Sequence, residues 1–413
     1  MKYSTLLFLA LISTTLQAQL TLQACQEKAK ANYPLIRQYE LIDKSTEFTL
    51  SNASKGYLPQ FSATAIAGYI IKGLPAMGPS SEGGEDKFQF IGIGQLNQTI
   101  WDGGATKSQK NIIKSNAAVD KANVDVALYD LRERVSQLFF GILLLDEQLK
   151  HAAILSDNLN RNLKAVKLSN ENGIAYSSDV DEVKVELLKA EQRVIETTHT
   201  RQGYANMLAL LIGESNNNLL VEKPAIQDQP AILPVNRPEL NLYQYQRSQV
   251  EANQTMNKVG NMPKVGLLAA GVMIQPGANF GAEKMNSLAL AGLSVSWNTK
   301  SLYQSSNNTQ LTKLQLDRID NQRATFLFNT NLKMTQENTD IQKQRSILAK
   351  DTEIVELKTK IKKAYELKYQ NGICTMNDLL QVINSENEAL STQATHEVQL
   401  LMAQNQHNIT SGN

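Results

Sequence analysis

The chain has little of several things, and each shortage removes a class of answer. Two cysteines in 413 residues, Cys25 and Cys374, do not make a disulfide framework. The histidines His151, His199, His396 and His407 are scattered along helical patterns, and no Cys/His cluster has metal-ligand spacing. No nucleophile–base pair is visible. Gly92-Ile93-Gly94 lacks the helix and third glycine of a nucleotide-binding loop. Enzyme chemistry, a cofactor and a metal are therefore not expected. The net charge of +1 gives no electrostatic case for nucleic acid or an anionic surface. Beyond the N-terminal leader no run of about 18 apolar residues occurs, so no membrane helix is available. Only a closed barrel would let such a chain cross a membrane.

The leader reads as a secretory signal over residues 1–18: Lys2, an apolar core from Leu6 to Leu16, and a cut after Ala18. Leu22-Gln23-Ala24-Cys25 has the look of a lipoprotein box. Cys25 lies well past the apolar core, however, inside a helical pattern beginning at Leu20, so lipid attachment is not expected.

What the chain does have is a duplication. Leu168–Asp179, LSNENGIAYSSD, returns as Leu367–Asp378, LKYQNGICTMND. Each copy sits between helix-patterned runs. Asn-Gly after a helix reads as a left-handed C-cap, and the polar residues beyond it as the next N-cap. Each copy is thus the predicted tip of a helical hairpin, at 172–178 and 371–375. Pro34, Gly56 and Pro59 return at one offset as Pro238, Gly260 and Pro263. A repeat this long is a duplicated domain. The predicted layout is a first repeat over 19–214, a Pro- and Asn-marked linker over 215–237, a second repeat over 238–408 and a short tail, 409–413.

Within each repeat the hydrophobic period changes twice. A helical run opens each half. Period-two alternation then predicts strands at about 57–71 and 88–101, and again at 263–274 and 287–298. Phe61, Ala63, Ala65 and Ala67 alternate with Gln60, Ser62, Thr64 and Gly68, one apolar face and one polar. A long run from 105 to 171 follows, with no Pro and a single Gly, Gly141. It carries apolar residues in strict 3-4 steps from Leu128 through Val135, Ile142 and Leu159 to Val166, broken only by Ser156. That 3.5-residue period marks a coiled-coil seam. Val180, Val183, Leu187, Ala190 and Val194 continue it after the tip, which predicts an antiparallel coiled hairpin. In the second half, 303–370 has no Pro or Gly, but its middle, Asn329–Ser346, is polar. That middle fits a solvated helix and the lining of a water-filled interior equally.

Two strands from each half give four amphipathic strands, too few for an outer-membrane barrel, which needs about eight or more. Closure by three copies would give twelve. Apolar positions would then face lipid and the Ser/Thr/Gln/Gly positions a polar lumen, with Tyr57, Tyr69, Trp101 and Trp297 at membrane interfaces. The fold class is mainly α with membrane β.

At this point the chain resembles the TolC family of outer-membrane efflux channels. The resemblance rests on the opening LTLQACQEKAKANYP, the strand opening KGYLPQFSATA, the strand exit TIWDGG, and the tips NGIAYSSDV and YQNGICTMNDLL. It implies a homotrimer with a twelve-stranded barrel in the outer membrane, continued by a twelve-helix tunnel through the periplasm. It implies passive conduction for a tripartite efflux or type I secretion system, with docking to a periplasmic adaptor (membrane fusion) protein and an inner-membrane pump of the resistance-nodulation-division, ABC or another class. It implies that Asp179, Tyr369 and Asp378 constrict the periplasmic mouth, and that Asn172, Gly173, Ile174, Asn371, Gly372 and Ile373 meet the adaptor. Cys374 stands where many members carry a gating Arg, and Gln381 where a second Asp is common, so an Arg–Asp lock is not expected. The competing reading is a soluble periplasmic coiled-coil adaptor. Adaptors carry one hairpin between sandwich domains, whereas here two hairpins alternate with strand pairs.

Overall fold

The computed structural model describes residues 19–69, 88–215, 219–227, 234–275 and 286–413. The leader and most of the two turn-rich segments between paired strands lie outside them. The elements in order are α1 (Leu22–Asn32), α2 (Gln38–Ser54), β1 (Gln60–Tyr69), β2 (Phe88–Trp101), α3 (Ala105–Tyr129), α4 (Leu131–Glu171), α5 (Ser177–Ile212), α6 (Pro238–Val259), β3 (Lys264–Gln275), β4 (Asn286–Ser296), α7 (Lys300–Gln370) and α8 (Met376–Ser411). Short 3-10 turns at Pro34–Arg37 and Lys55–Tyr57 flank α2. Among the described residues no helix is long and apolar enough to cross a membrane.

Two compact units result. One takes Val124–Pro238, Thr325–Asn413 and the N-terminal residues through Ile36; the other takes Arg37–Asn123 and Glu239–Ala324. Each sequence repeat contributes to both, because hairpins pack on hairpins and strands pair with strands.

The first unit is built around α4. Its 3-4 ladder is buried as the sequence implies: Leu131, Val135, Ile142, Ala152, Leu159 and Val166 are all shielded. One cluster joins Val135, Phe139 and Ile142 to Cys25 and Ala29 of α1, Leu208 and Ile212 of α5, and Val398 and Leu401 of α8. A second joins Leu159 and Val166 to Val183 and Leu187 of α5 and Met376, Leu379 and Ile383 of α8. Gly141 lets α5 approach closely, since a Cβ there would lie 2.5 Å from the Tyr204 ring. Cys25 and Cys374 are both free. Burial within α1 pushes the Cys25 thiol up to about 11, leaving it unreactive.

Two expectations need adjustment. The run at 105–171 is not one helix: a turn at Asp130 separates α3 from α4. The polar middle of α7 is not wholly solvated either. Thr330, Met334, Glu337 and Ile341 form a buried stripe in 4-3-4 steps. The second hairpin is laced by polar pairs where the first uses leucine. Lys358 donates to Ser385 at 2.7 Å, Lys362 pairs with Glu386 at 2.5 Å, and His396 meets Asp351 at 2.6 Å. Thr410 donates to Glu337 at 2.7 Å. The described part of the linker, 219–227, is tied down. Leu20 N–H donates to Leu220 O at 2.8 Å, and Lys223 reaches both Glu147 and Glu397.

Two outer stripes of this unit stay uncovered. On α5, Val185, Leu188, Ile195 and Leu210 lie away from the α4-facing side and are exposed. On α7, Ile354, Leu357 and Ile361 form an exposed 3-4 stripe.

The second unit holds one antiparallel sheet in the order β1-β2-β3-β4. The register puts Phe61, Leu96, Ala269 and Ala291 in one row. Gly94, Gly271 and Ala289, then Leu267 and Leu293, share that face, which is apolar nearly throughout. On the opposite face β1 and β2 are most polar near the helix-attached end, in the rows Gln60–Asn97 and Ser62–Gln95, which continue on β3 and β4 as Leu268–Gly292 and Ala270–Leu290. The expectation of a uniformly Ser/Thr/Gln/Gly face therefore holds only for the helix-attached half of β1 and β2. Asp102 locks the strand exit, accepting from Tyr57 Oη at 2.8 Å, Gly104 N–H at 2.9 Å and Thr106 N–H at 2.6 Å. Burial works against its charge, yet the bonds from Thr106, Tyr57 and Gly104 bring its carboxyl down to about 2.

Burial, aided by Asp340 and Glu133, pushes the Glu337 carboxyl up against the opposing Thr410 bond and Lys333. A raised folded value means that its contribution is fully present below the unfolded value and lost as pH rises through the folded one. Glu337→Gln keeps the Thr410 bond without the buried charge. The expected outcome is a melting temperature a few degrees higher at pH 7, with the gain vanishing near pH 4; an unchanged or lower value at pH 7 contradicts it.

Candidate functional site

The tips are where the two hairpins end together. At the end of α4, Asn172 Nδ2 donates back to Leu168 O at 2.8 Å; at the end of α7, Asn371 Nδ2 donates to Leu367 O at 2.8 Å. Gly173 and Gly372 then turn left-handed, with φ of 72° and 68°. The following isoleucine closes a six-residue ring: Ile174 N–H to Ser169 O and Ile373 N–H to Lys368 O, both 2.8 Å. These are twin Schellman motifs, satisfying carbonyls that a helix end leaves free.

The restarts differ. Thr375 caps α8 with a full box: its Oγ1 accepts from Asp378 N–H at 3.2 Å and donates to Asp378 Oδ2 at 2.7 Å, while Thr375 N–H donates to Oδ2 at 3.0 Å. The Thr375 hydroxyl and backbone bonds lower the Asp378 carboxyl. At the other tip Tyr176 occupies the cap position. Asp179 Oδ2 accepts from Tyr176 N–H at 3.1 Å, but Asp179 N–H goes to the Tyr176 carbonyl at 3.2 Å. Tyr176 was not singled out by sequence reasoning; aligning the two copies, which sets it against Thr375, would have found it.

The surface of the tips is apolar and open. Ile174, Tyr176 and Ile373 are 81%, 79% and 71% exposed. A Cβ added at Gly173 or Gly372 meets nothing within 4 Å. Behind them Tyr369 packs on the α4/α5/α8 cluster. Burial raises its phenol, and the neighbouring Asp179 and Cys374 add to that, so it stays a neutral donor. The structure thus brings Tyr369 of one hairpin beside Asp179 of the other. Asp378 is engaged with its own cap. Cys374 Sγ donates weakly to Tyr365 O at 3.7 Å.

The four sequence-picked aromatics divide. Tyr57, Trp101 and Trp297 lie at the helix-attached end of the sheet, and Tyr69 ends β1 at the other. Trp101 is 46% exposed; Trp297 Nε1 donates to Asn261 O at 2.9 Å, and Tyr57 is held by Asp102. Among the described residues no group of three or more His, Cys, Asp or Glu could hold a metal ion.

Residues 25–214 match the family described as outer membrane efflux protein. No curated protein matches the chain in sequence. Solved structures match over nearly its whole length. The outer membrane protein VceC of Vibrio cholerae shares the fold with a TM-score of 0.65 at 13% identity, covering 95% of this chain and 96% of that one. The outer-membrane channel OprN gives 0.65 at 15%, covering 95% and 89%. The Campylobacter jejuni outer membrane channel CmeC gives 0.64 at 14%, covering 95% and 85%. The resemblance drawn from the motifs is borne out: the first repeat carries the efflux protein family's pattern, and the mainly helical fold with its small antiparallel sheet is that of outer-membrane channels.

The cap geometry predicts opposite results for two substitutions at one position. Gly372→Val forces a β-branched residue into the left-handed region, and about 1–2 kcal/mol of stability is lost. Gly372→Asn, a residue that visits this region readily, costs well under half of that. Chemical denaturation of the two variants checks it; equal losses would show that the positive φ is not what glycine provides here.

Proposed function

We propose that this chain, matched over residues 25–214 by the outer membrane efflux protein family and sharing a channel fold along its length, is the outer-membrane conduit of a tripartite efflux or type I secretion system. It works as a homotrimer. Three four-stranded sheets close a twelve-stranded barrel in outer-membrane lipid, and the helical hairpins of three copies form a twelve-helix tunnel into the periplasm. Substrates pass through passively. The energy comes from an inner-membrane pump reached through a periplasmic adaptor docked on the tips.

The carrying observation is the sheet with its two free edges, β1 and β4, and its apolar exposed face. In lipid each unpaired backbone group costs several kcal/mol, so an open sheet is not viable there. β1 and β4 are ten and eleven residues long, well matched for pairing between copies. An edge-to-edge contact of this kind is heterologous and closes into a ring. The bare apolar stripes on α5 and α7 support the same assembly, since each needs a partner outside its own hairpin.

At the mouth, threefold symmetry gathers Asp179 and Asp378 around one axis, with Tyr369 beside them. Six carboxylates make a ring that favours cations. The exposed Ile174 and Ile373 beside open glycines suit contact with the adaptor. The cap-preserving Gly372→Asn variant probes that contact: dye export should fall although most of the stability is kept.

Two outcomes follow. Fractionated cells should yield the protein in the outer membrane, extracted by detergent as a trimer, and recovery wholly in the soluble periplasm would overturn the assignment. Asp179→Asn with Asp378→Asn should lower the cation preference of single channels in planar bilayers severalfold at low salt. An unchanged reversal potential would leave both residues as helix caps alone.

A further inference from the structure

The sheet's second face changes character along its height. Near the helix-attached end it carries Gln60 beside Asn97 and Ser62 beside Gln95. Toward the hairpin end, where β1 runs out and β2 begins, Ile66, Ile91 and Ile274 form one row, which Asn286 completes on β4. Ile93, Val272 and Leu288 form the next, with Thr64 at its flank. The rows are two residues apart, about 7 Å along the strands. Ile66, Ile274 and Leu288 are 53%, 40% and 72% exposed. The other face is apolar at both heights, so here the strands lose the alternation expected when one side meets lipid and the other water.

Three facts constrain what this second apolar surface meets. It lies on the face whose other rows carry Gln60, Asn97, Ser62 and Gln95 on β1 and β2, which lipid excludes, and run on as Leu268, Gly292, Ala270 and Leu290 across β3 and β4. Within the four described strands the only charged residue is Lys264, at the helix-attached end, so charge does no sorting at this height. On β2 the apolar run is two residues deep, Ile91 and Ile93 ahead of Gln95, which is the length of a small molecule and too short to engage a folded chain.

We propose that these side chains form an apolar collar around the outer half of the barrel lumen, which binds small amphiphilic solutes by their hydrocarbon or aromatic part as they leave. The inference rests on the closed-barrel reading. A conduit site must attract enough to admit a solute and little enough to release it. A wide ring of aliphatic side chains touching one side of a solute does this, and Thr64 leaves a place for the polar end. Selection by the collar follows apolar area, whatever the charge of the solute.

The test uses the full chain in planar bilayers, with current block by trimethylammonium ions carrying butyl, hexyl or octyl chains. Charge is constant across the series. Block should tighten about two- to fourfold per added methylene, the upper figure being the factor for a fully buried one. Ile91→Thr with Ile93→Thr keeps β-branched strand formers and should flatten that dependence while leaving conductance in place. If the pair prevents insertion, Leu288→Thr alone should flatten it in part. A wild-type channel whose block ignores chain length, or a steep dependence that the variants do not move, overturns the collar and leaves the channel standing. A chain that forms no channel overturns both.

Discussion

The constraint on which the first unit depends is the burial of α4. A stripe of apolar residues in 3-4 steps cannot be shielded by one neighbour along 41 residues. It is covered by α5 and α8 in both of its clusters, and by α1 at the end away from the tips. Each of those elements is placed by what α4 needs covered. Gly141 removes a side chain where α5 must come close. Leu219 and Val221 draw the linker onto the same cluster. The tips follow, because α4 and α5 can stay in register only if the turn between them is short and fixed.

The tips show how one local solution serves two ends. A left-handed glycine, a back-bonded asparagine and a ring-closing isoleucine satisfy the helix carbonyls twice over, with nearly identical distances. The same solution leaves bare glycines and two exposed isoleucines at the extremity. Asp378 is held by Thr375 on three counts, whereas Asp179 lacks a hydroxyl to bond and lies beside Tyr369. The two carboxylates are therefore equivalent in sequence but not in environment. What neighbours Asp179 across the hairpins is the Tyr369 phenol, which burial keeps neutral.

Much of this was legible in the sequence because it is written in periods. A 3.5-residue repeat forces one helix face inward, and a two-residue repeat alternates faces, so the end of α4, the start of α5 and the four strands could be placed within a few residues. The twin caps were legible because Asn-Gly has few alternatives after a helix. The break at Asp130 was not, since nothing in its residue type forbids a helix. Nor was the buried stripe of α7: Thr330 and Glu337 read as solvent-facing until Thr410 of α8 is seen to bond with Glu337. Polar pairs between distant residues leave no period behind.

By itself, then, the sequence determined the duplication, the element types, the hairpin seam and the residues at the tips, since each rests on chemistry within a few residues of chain. The tertiary structure decided what lies beside what. It joined the two repeats into units that cut across them, set Tyr369 next to Asp179, and fixed the strand register. That register is the decisive case. Alternation along one strand names its two faces, but only pairing sets Ile66, Ile91 and Ile274 in one row, because hydrogen bonds between strands choose which residues face each other and no single strand contains that choice.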